Sequence, residues 1–146
     1  MSDHIYKEAR LIAGRVGHGE DLLQGIEKIC KKNNIMMGKV SAIGAVSQGA
    51  FGYYDQVKKK YLKKTLHRKL EMVSCIGNIS VKNKKTFVHA HIAFSDKEGK
   101  VLGGHLMEGT IVFACEIIIE ELKGKLLNRV LDKQTGLGLW KKESIL

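Results

Sequence analysis

The chain has no proline and only three cysteines in 146 residues. Cys30, Cys75 and Cys115 are an odd number, widely spaced, each among apolar neighbours. They form no CxxC pair, so a cysteine zinc motif is excluded and buried, reduced thiols are expected. No apolar run approaches the roughly 18 residues that a membrane-spanning helix needs. The opening "MSDHIYKEAR" lacks the apolar stretch of a signal peptide, and the expectation is a cytoplasmic chain with no membrane partner. Also missing are a Walker or dinucleotide glycine fingerprint, a Cys/His finger and an Arg-Gly-Arg-Pro minor-groove arm. Ser41, Ser47, Ser74 and Ser80 sit in no nucleophile elbow. With no internal repeat and no linker-like stretch, residues 1–146 read as a single domain with room for one core.

What is present in excess is positive charge: 25 Lys and Arg against 15 Asp and Glu, a formal net charge of +10. Such a balance makes DNA or RNA a candidate partner, because neutralising phosphates releases counterions. The basic residues are spread along the whole chain, so a lysine-rich solvated surface is an equal reading.

Hydrophobic spacing organises the rest. Residues 4–16 alternate loosely and predict an opening strand. In "GHGEDLLQGIEKICKKNN" the apolar Leu22, Leu23, Ile26, Ile29 and Cys30 recur at helical spacing. Glu20 and Asp21 stand at the positive end of that helix, Lys28, Lys31 and Lys32 at its negative end, and Asn33-Asn34 is a reasonable stop. From residue 35 onward the pattern is strand-like. It includes a charged hairpin at "QVKKKYLKK", two strands around "KNKK", and a long β-branched strand at "TIVFACEIIIEEL". One helix followed by many strands predicts an α+β fold, a central antiparallel sheet flanked by a helix.

The segment "FVHAHIAFSDKEGKVLGGHL" carries three of the six histidines. Side chains alternate along a strand, so Val88, Ala90, Ile92 and Phe94 form one apolar face, and His89 and His91 share the other. A three-residue loop at Lys97-Glu98-Gly99, with glycine in the left-handed third position, pairs Asp96 with Lys100. Counting outward, His91 then pairs with His105, and His89 is the diagonal neighbour. A four-residue loop would send His105 to the opposite face. Three converging imidazoles fit a zinc-like ion with a fourth position left for water or ligand. Gly103 and Gly104 would let the backbone approach closely beside that point. The residue pattern alone leaves three readings open: a metal site, three histidines on a polar sheet face, or a catalytic or nucleic-acid-contacting histidine. His4, His18 and His67 lack such partners and read as ordinary. Glu71 and Glu116, isolated acids inside apolar strands, are candidates for a partner to a ligating imidazole or a general base, or for simple solvent-facing residues.

Several stretches together resemble the plant and prokaryote conserved (PPC) domain family. They are "GEDLLQGIEKI", "VSAIGAVSQGAFGYYD", "LEMVSCIGNIS", "HAHIAFSDKEGKVLGGHL" and "LDKQTGLGLW", in the family's order and across nearly the whole chain. The combination of "GNIS", "HxH" and "GGHL" carries the specificity, and the short stand-alone prokaryotic and archaeal members are most similar. The resemblance implies an α+β fold, assembly as a homotrimer, and a zinc site on the residues matching the family's histidines, His89, His91 and His105. In plants the domain is joined to AT-hooks that grip DNA. This sequence has none, so that route to DNA does not carry over. The plant interaction motif Gly-Arg-Phe-Glu-Ile-Leu corresponds to Arg68–Val73, where Glu71 is kept but Lys69 replaces the arginine and the glycine is missing.

The expectation is therefore a binding or regulatory protein, with DNA as a candidate partner and a small molecule as a candidate ligand at the metal. The alternative is a zinc-dependent enzyme of hydrolase or lyase type, since three histidines and an open position can activate water. A purely structural metal is the third reading.

Overall fold

Strand alternation builds most of this molecule. The computed structural model describes residues 5–142. Along the chain run β1 (Lys7–Val16), α1 (Leu22–Lys32), β2 (Gly38–Asp55), β3 (Lys60–Leu66), β4 (Leu70–Lys82), β5 (Lys85–Ser95), β6 (Val101–Leu106), β7 (Ile111–Lys123), β8 (Arg129–Leu131) and β9 (Gly138–Trp140). The main sheet is antiparallel in order β1-β7-β2-β4-β5-β6. The far end of the 18-residue β2 also pairs with β3 and with Leu106 and His105 of β6, so the sheet curls back on itself.

The expected sheet and flanking helix are both present, but the balance differs from an even α+β mixture. The single helix has 11 residues, and the rest of the regular structure is strand. The physical reason is length and composition: after Asn34 every apolar segment alternates or is β-branched, and none repeats at helical spacing.

The helix forms where its end signals are. Asp21 is the N-cap, and its Oδ1 accepts the Gln24 N–H at 3.0 Å. Lys31 and Lys32 lie in the last turn, where the dipole favours cations. Leu22, Ile26 and Cys30 are fully buried, joining Ile35, Val40, Met72, Ile79, Phe94 and Ile119 in one core. All three cysteines are buried. The thiols of Cys30 and Cys75 are pushed up to about 12 by that burial.

The β5–β6 hairpin has the expected register. Asp96 N–H donates to the Lys100 carbonyl at 3.1 Å, and Asp96 Oδ1 accepts from the N–H groups of Glu98 and Lys100. Gly99 occupies the left-handed region at φ +78°. Val88, Ala90, Ile92 and Phe94 are all buried, confirming which face of β5 meets the core. No helix among the described residues is long and apolar enough to cross a membrane.

Candidate metal centre

His91 pairs directly with His105 across β5–β6 and with Ile76 across β4–β5. His89 lies one residue pair further along, opposite Asn78. The three rings stand at centroid separations of 5.4 Å (His89–His91), 4.9 Å (His89–His105) and 5.6 Å (His91–His105). One ligating nitrogen from each can be chosen so that all lie within 4.8 Å of one another. The group could hold a metal ion.

Backbone spacing makes this convergence feasible. A Cβ on Gly103 would overlap the Ile92 carbonyl oxygen, so only glycine lets β6 run this close to β5. A Cβ on Gly52, which pairs with His105, would stand 3.0 Å from Tyr61 Cδ1. Its absence leaves room for Tyr61 to stack on His105, with centroids 4.5 Å apart and planes at 25°.

The donor chemistry also fits a cation. None of the three imidazoles makes a hydrogen bond among the described residues, and Nδ1 of His105 is buried without any partner. A buried, unpaired imidazole nitrogen is costly unless something coordinates it. Burial first, then the neighbouring charges of His89, His91 and Arg129, lower the His105 pKa to about 4. His89 is lowered by burial, then by Arg129 and His91. Both rings are therefore held neutral, the form that ligates. By contrast, His18 Nδ1 donates to the Phe113 carbonyl at 2.9 Å and His67 Nδ1 to Gln48 Oε1 at 2.6 Å. These two are the ordinary histidines expected, while His4 lies outside the described residues.

The two glutamates singled out in the sequence do not join the site. Glu71 pairs with Ala45 and Ser95, Glu116 with Ile43 and Arg15, and both border a separate cavity around Gly44 and Val73. Four to six residues of strand separate Ser95 from the two β5 histidines, and β2 and β4 lie between Glu116 on β7 and β5, so neither acid is near enough to serve as base or hydrogen-bond partner there.

Three residues that sequence reasoning missed do join it: Tyr61, Asn78 and Arg129. Arg129 opens a small hairpin, β8–β9, that lies across β4. Its Nε donates to Ser80 Oγ at 2.7 Å, its Nη2 to Asn78 Oδ1 at 2.6 Å and its Nη1 to the Gly138 carbonyl at 2.8 Å. Its guanidinium also lies over the rings of Phe87 and Trp140. A cavity of about 450 Å³ opens beside the histidines, bordered by Asn78, His89, His91, Lys39 and Trp140.

An antiparallel sheet that curls on itself and presents an HxH pair beside a third histidine defines a small sheet protein with a candidate cation centre. The sequence profile of the Plants and Prokaryotes Conserved (PCC) domain, the family abbreviated PPC above, matches residues 4–123, and the chain belongs to that family. Among solved structures it is similar to a metal-containing protein from Archaeoglobus fulgidus, at 40% identity and a TM-score of 0.92 over 97% of this chain and 100% of that one. It is also similar to a plant- and prokaryote-conserved protein from Pyrococcus horikoshii, at 38% identity and a TM-score of 0.91 over 99% and 100%. A candidate DNA-binding protein from Ralstonia eutropha shares 28% identity and a TM-score of 0.79 over 94% and 96%. A curated relative, the bifunctional protein GlmU of a Synechococcus strain, is 31% identical over 120 residues, which are 81% of this chain and 18% of that protein's length. The chain thus spans under a fifth of the curated relatives it matches.

Proposed function

We propose that this chain, as a single domain over residues 1–146, is a cytoplasmic homotrimer that binds zinc through His89, His91 and His105. Its role is binding or regulation, with DNA as the polyanionic partner of its basic surface. The observation that carries the reading is the set of three converging imidazoles that make no hydrogen bond among the described residues, one with a buried orphan nitrogen. Three imidazole nitrogens in a cluster with no carboxylate or thiolate among the described residues suit zinc, which takes four ligands and leaves one position for water or a small molecule. The Archaeoglobus neighbour's description as metal-containing supports the same reading.

Self-association is supported by the outward face of the sheet. Ile43, Val73, Ile76, Phe113 and Ile118 are each 44–58% exposed there, and several of them rim a concavity of about 660 Å³. A contiguous apolar face of this kind is a common interface. Association with DNA is supported by the charge of +10 and by the description of the Ralstonia neighbour. A trimer would multiply weak phosphate contacts. Binding is favoured over catalysis because neither Glu71 nor Glu116 stands at the histidines to serve as base.

Elemental analysis of the purified protein tests the centre: one zinc per chain is expected, lost in His89→Ala. Absence of metal from protein purified and reconstituted with zinc would overturn it. For DNA, retention should be strongest near about 50 mM salt and fall steeply as salt rises. No retention at that salt would remove the DNA part of the proposal.

A further inference from the structure

Arg129 is a half-buried cation with no carboxylate partner among the described residues. Arg10 shows the ordinary arrangement in this same fold: its Nε and Nη2 hold both oxygens of Glu121 at 2.6 and 3.0 Å. Arg129 instead meets neutral groups: a hydroxyl, an amide and a backbone carbonyl as acceptors, and the rings of Phe87 and Trp140. Those bonds explain how the β8–β9 hairpin is pinned to β4. They do not explain the uncompensated charge, which is costly to hold away from water. Three of its five N–H groups are used, so two remain.

Its position connects that charge to the histidines. Asn78, its partner at 2.6 Å, is directly cross-strand from His89, and Ser80, its partner at 2.7 Å, is cross-strand from Phe87. The guanidinium therefore lies along the same ladder face, one rung beyond the cluster. Tyr61 is stacked on the His105 ring and lies within electrostatic reach of Arg129, and its hydroxyl makes no hydrogen bond among the described residues. The cation that borders the cavity beside His89 and His91, Lys39, is held by Glu120 at 3.0 Å. Among the described residues the site thus has three imidazole ligands, a guanidinium with no carboxylate, a phenol with no hydrogen bond, and beside His89 and His91 a cavity lined by no acid.

We infer that Arg129 and Tyr61 form, with the three-histidine centre, a binding site for a small oxyanion, a carboxylate or phosphate group. One oxygen takes the open metal position and the others accept from the guanidinium and the phenol. A dication on the histidines, with Arg129 bonded to the cross-strand neighbour of His89, would leave this region strongly positive, and an oxyanion is the ligand class that neutralises both at once. This inference rests on the metal reading above. It goes beyond it by naming the ligand class and the residues that select it. Arg129 lies outside the segment matched by the family profile, so the selecting charge comes from the C-terminal hairpin.

The test uses the full chain loaded with cobalt(II), whose visible absorption reports its coordination. Inorganic phosphate and acetate are titrated separately against the wild type, Arg129→Gln and Tyr61→Phe, with cobalt content measured first. At least one of the two anions should perturb the wild-type spectrum saturably. That anion should bind at least tenfold more weakly to Arg129→Gln and about threefold more weakly to Tyr61→Phe. The preferred anion tells a phosphate-bearing from a carboxylate-bearing ligand. Tyr61→Phe keeps the ring stack and the hairpin, so it decides the matter if Arg129→Gln fails to fold. A protein that holds no cobalt overturns the metal reading, and this inference with it. A protein that holds cobalt but responds to neither anion, or responds equally in the wild type and the folded variants, overturns this inference alone.

Discussion

His91 and His105 face each other directly across the β5–β6 ladder, their ring planes at 87° and their centroids 5.6 Å apart. That pairing depends on the three-residue loop at 97–99, because the side-chain period of a strand is two. Inserting one glycine after Gly99 should move His105 to the core face or force a bulge. Metal content is expected to fall to the level of a His105→Ala variant, as read by elemental analysis. Undiminished metal in the insertion variant would show that the register does not control the site.

The depressed pKa of His105 has a consequence in the metal-free protein. Its folded value is about 4, below an ordinary histidine's value near 6.5. The unfolded chain therefore takes up a proton first as the pH falls, and the folded state loses stability between about 6.5 and 4. Above that window this group has no effect. An NMR titration should place the His105 ring protonation near 4, and His105→Gln should flatten the acid side of the stability curve. A midpoint near 6.5 would contradict the burial argument.

Gly103 and Gly99 should respond differently to alanine. At Gly103 the new Cβ would overlap the Ile92 carbonyl oxygen, forcing β6 away from β5. A loss of about 1–3 kcal/mol is expected, with weakened metal binding. At Gly99 there is nothing within 4 Å, and the cost is only that of φ +78°, about 1 kcal/mol, with metal binding kept. Denaturant unfolding and metal titration separate the two.

Asp21 links the helix to a distant loop. Its Oδ1 caps α1 and its Oδ2 accepts the Gly109 N–H at 2.6 Å. Asp21→Ala should cost about 1–2 kcal/mol, whereas Asp21→Asn should cost less, since it keeps one acceptor. Thermal melts of the two variants rank them. Equal stability of wild type and Asp21→Ala would show that neither bond matters.

Ile76 and Ile43 are more than half exposed on the sheet face proposed to self-associate. Ile76→Asp should leave the monomer fold intact, because the side chain touches solvent there, and should shift the assembly toward monomer in analytical ultracentrifugation. An unchanged assembly mass would move the interface to another face.

Much of the centre was legible from one twenty-residue segment. Alternation in "TFVHAHIAF" assigned the two faces of β5, and the loop "SDKEG" set the register that brought in His105. Both are local rules: they act within a few residues and need no knowledge of the rest of the chain. The buried helical stripe was legible for the same reason, whereas Asp21 was legible only as an acid at the helix's positive end and its capping bond came from the structure. The proportion of strand was less so, since α+β describes which elements occur and not how far a sheet extends.

What the tertiary structure alone decided lies at long range. Arg129 reaches Asn78 and Ser80 from about fifty residues away, and Tyr61 reaches His105 because the end of β2 folds back onto β6. No periodicity in the sequence announces either meeting. Strand register keeps Glu71 opposite Ser95 and Glu116 opposite Ile43, away from the histidines, although both had the chemistry expected of site residues. Local propensity and alternation determined which side chains share a face. Which faces then meet depended on how one long strand bends and on how a C-terminal hairpin is pinned, and both are set by packing of the whole sheet.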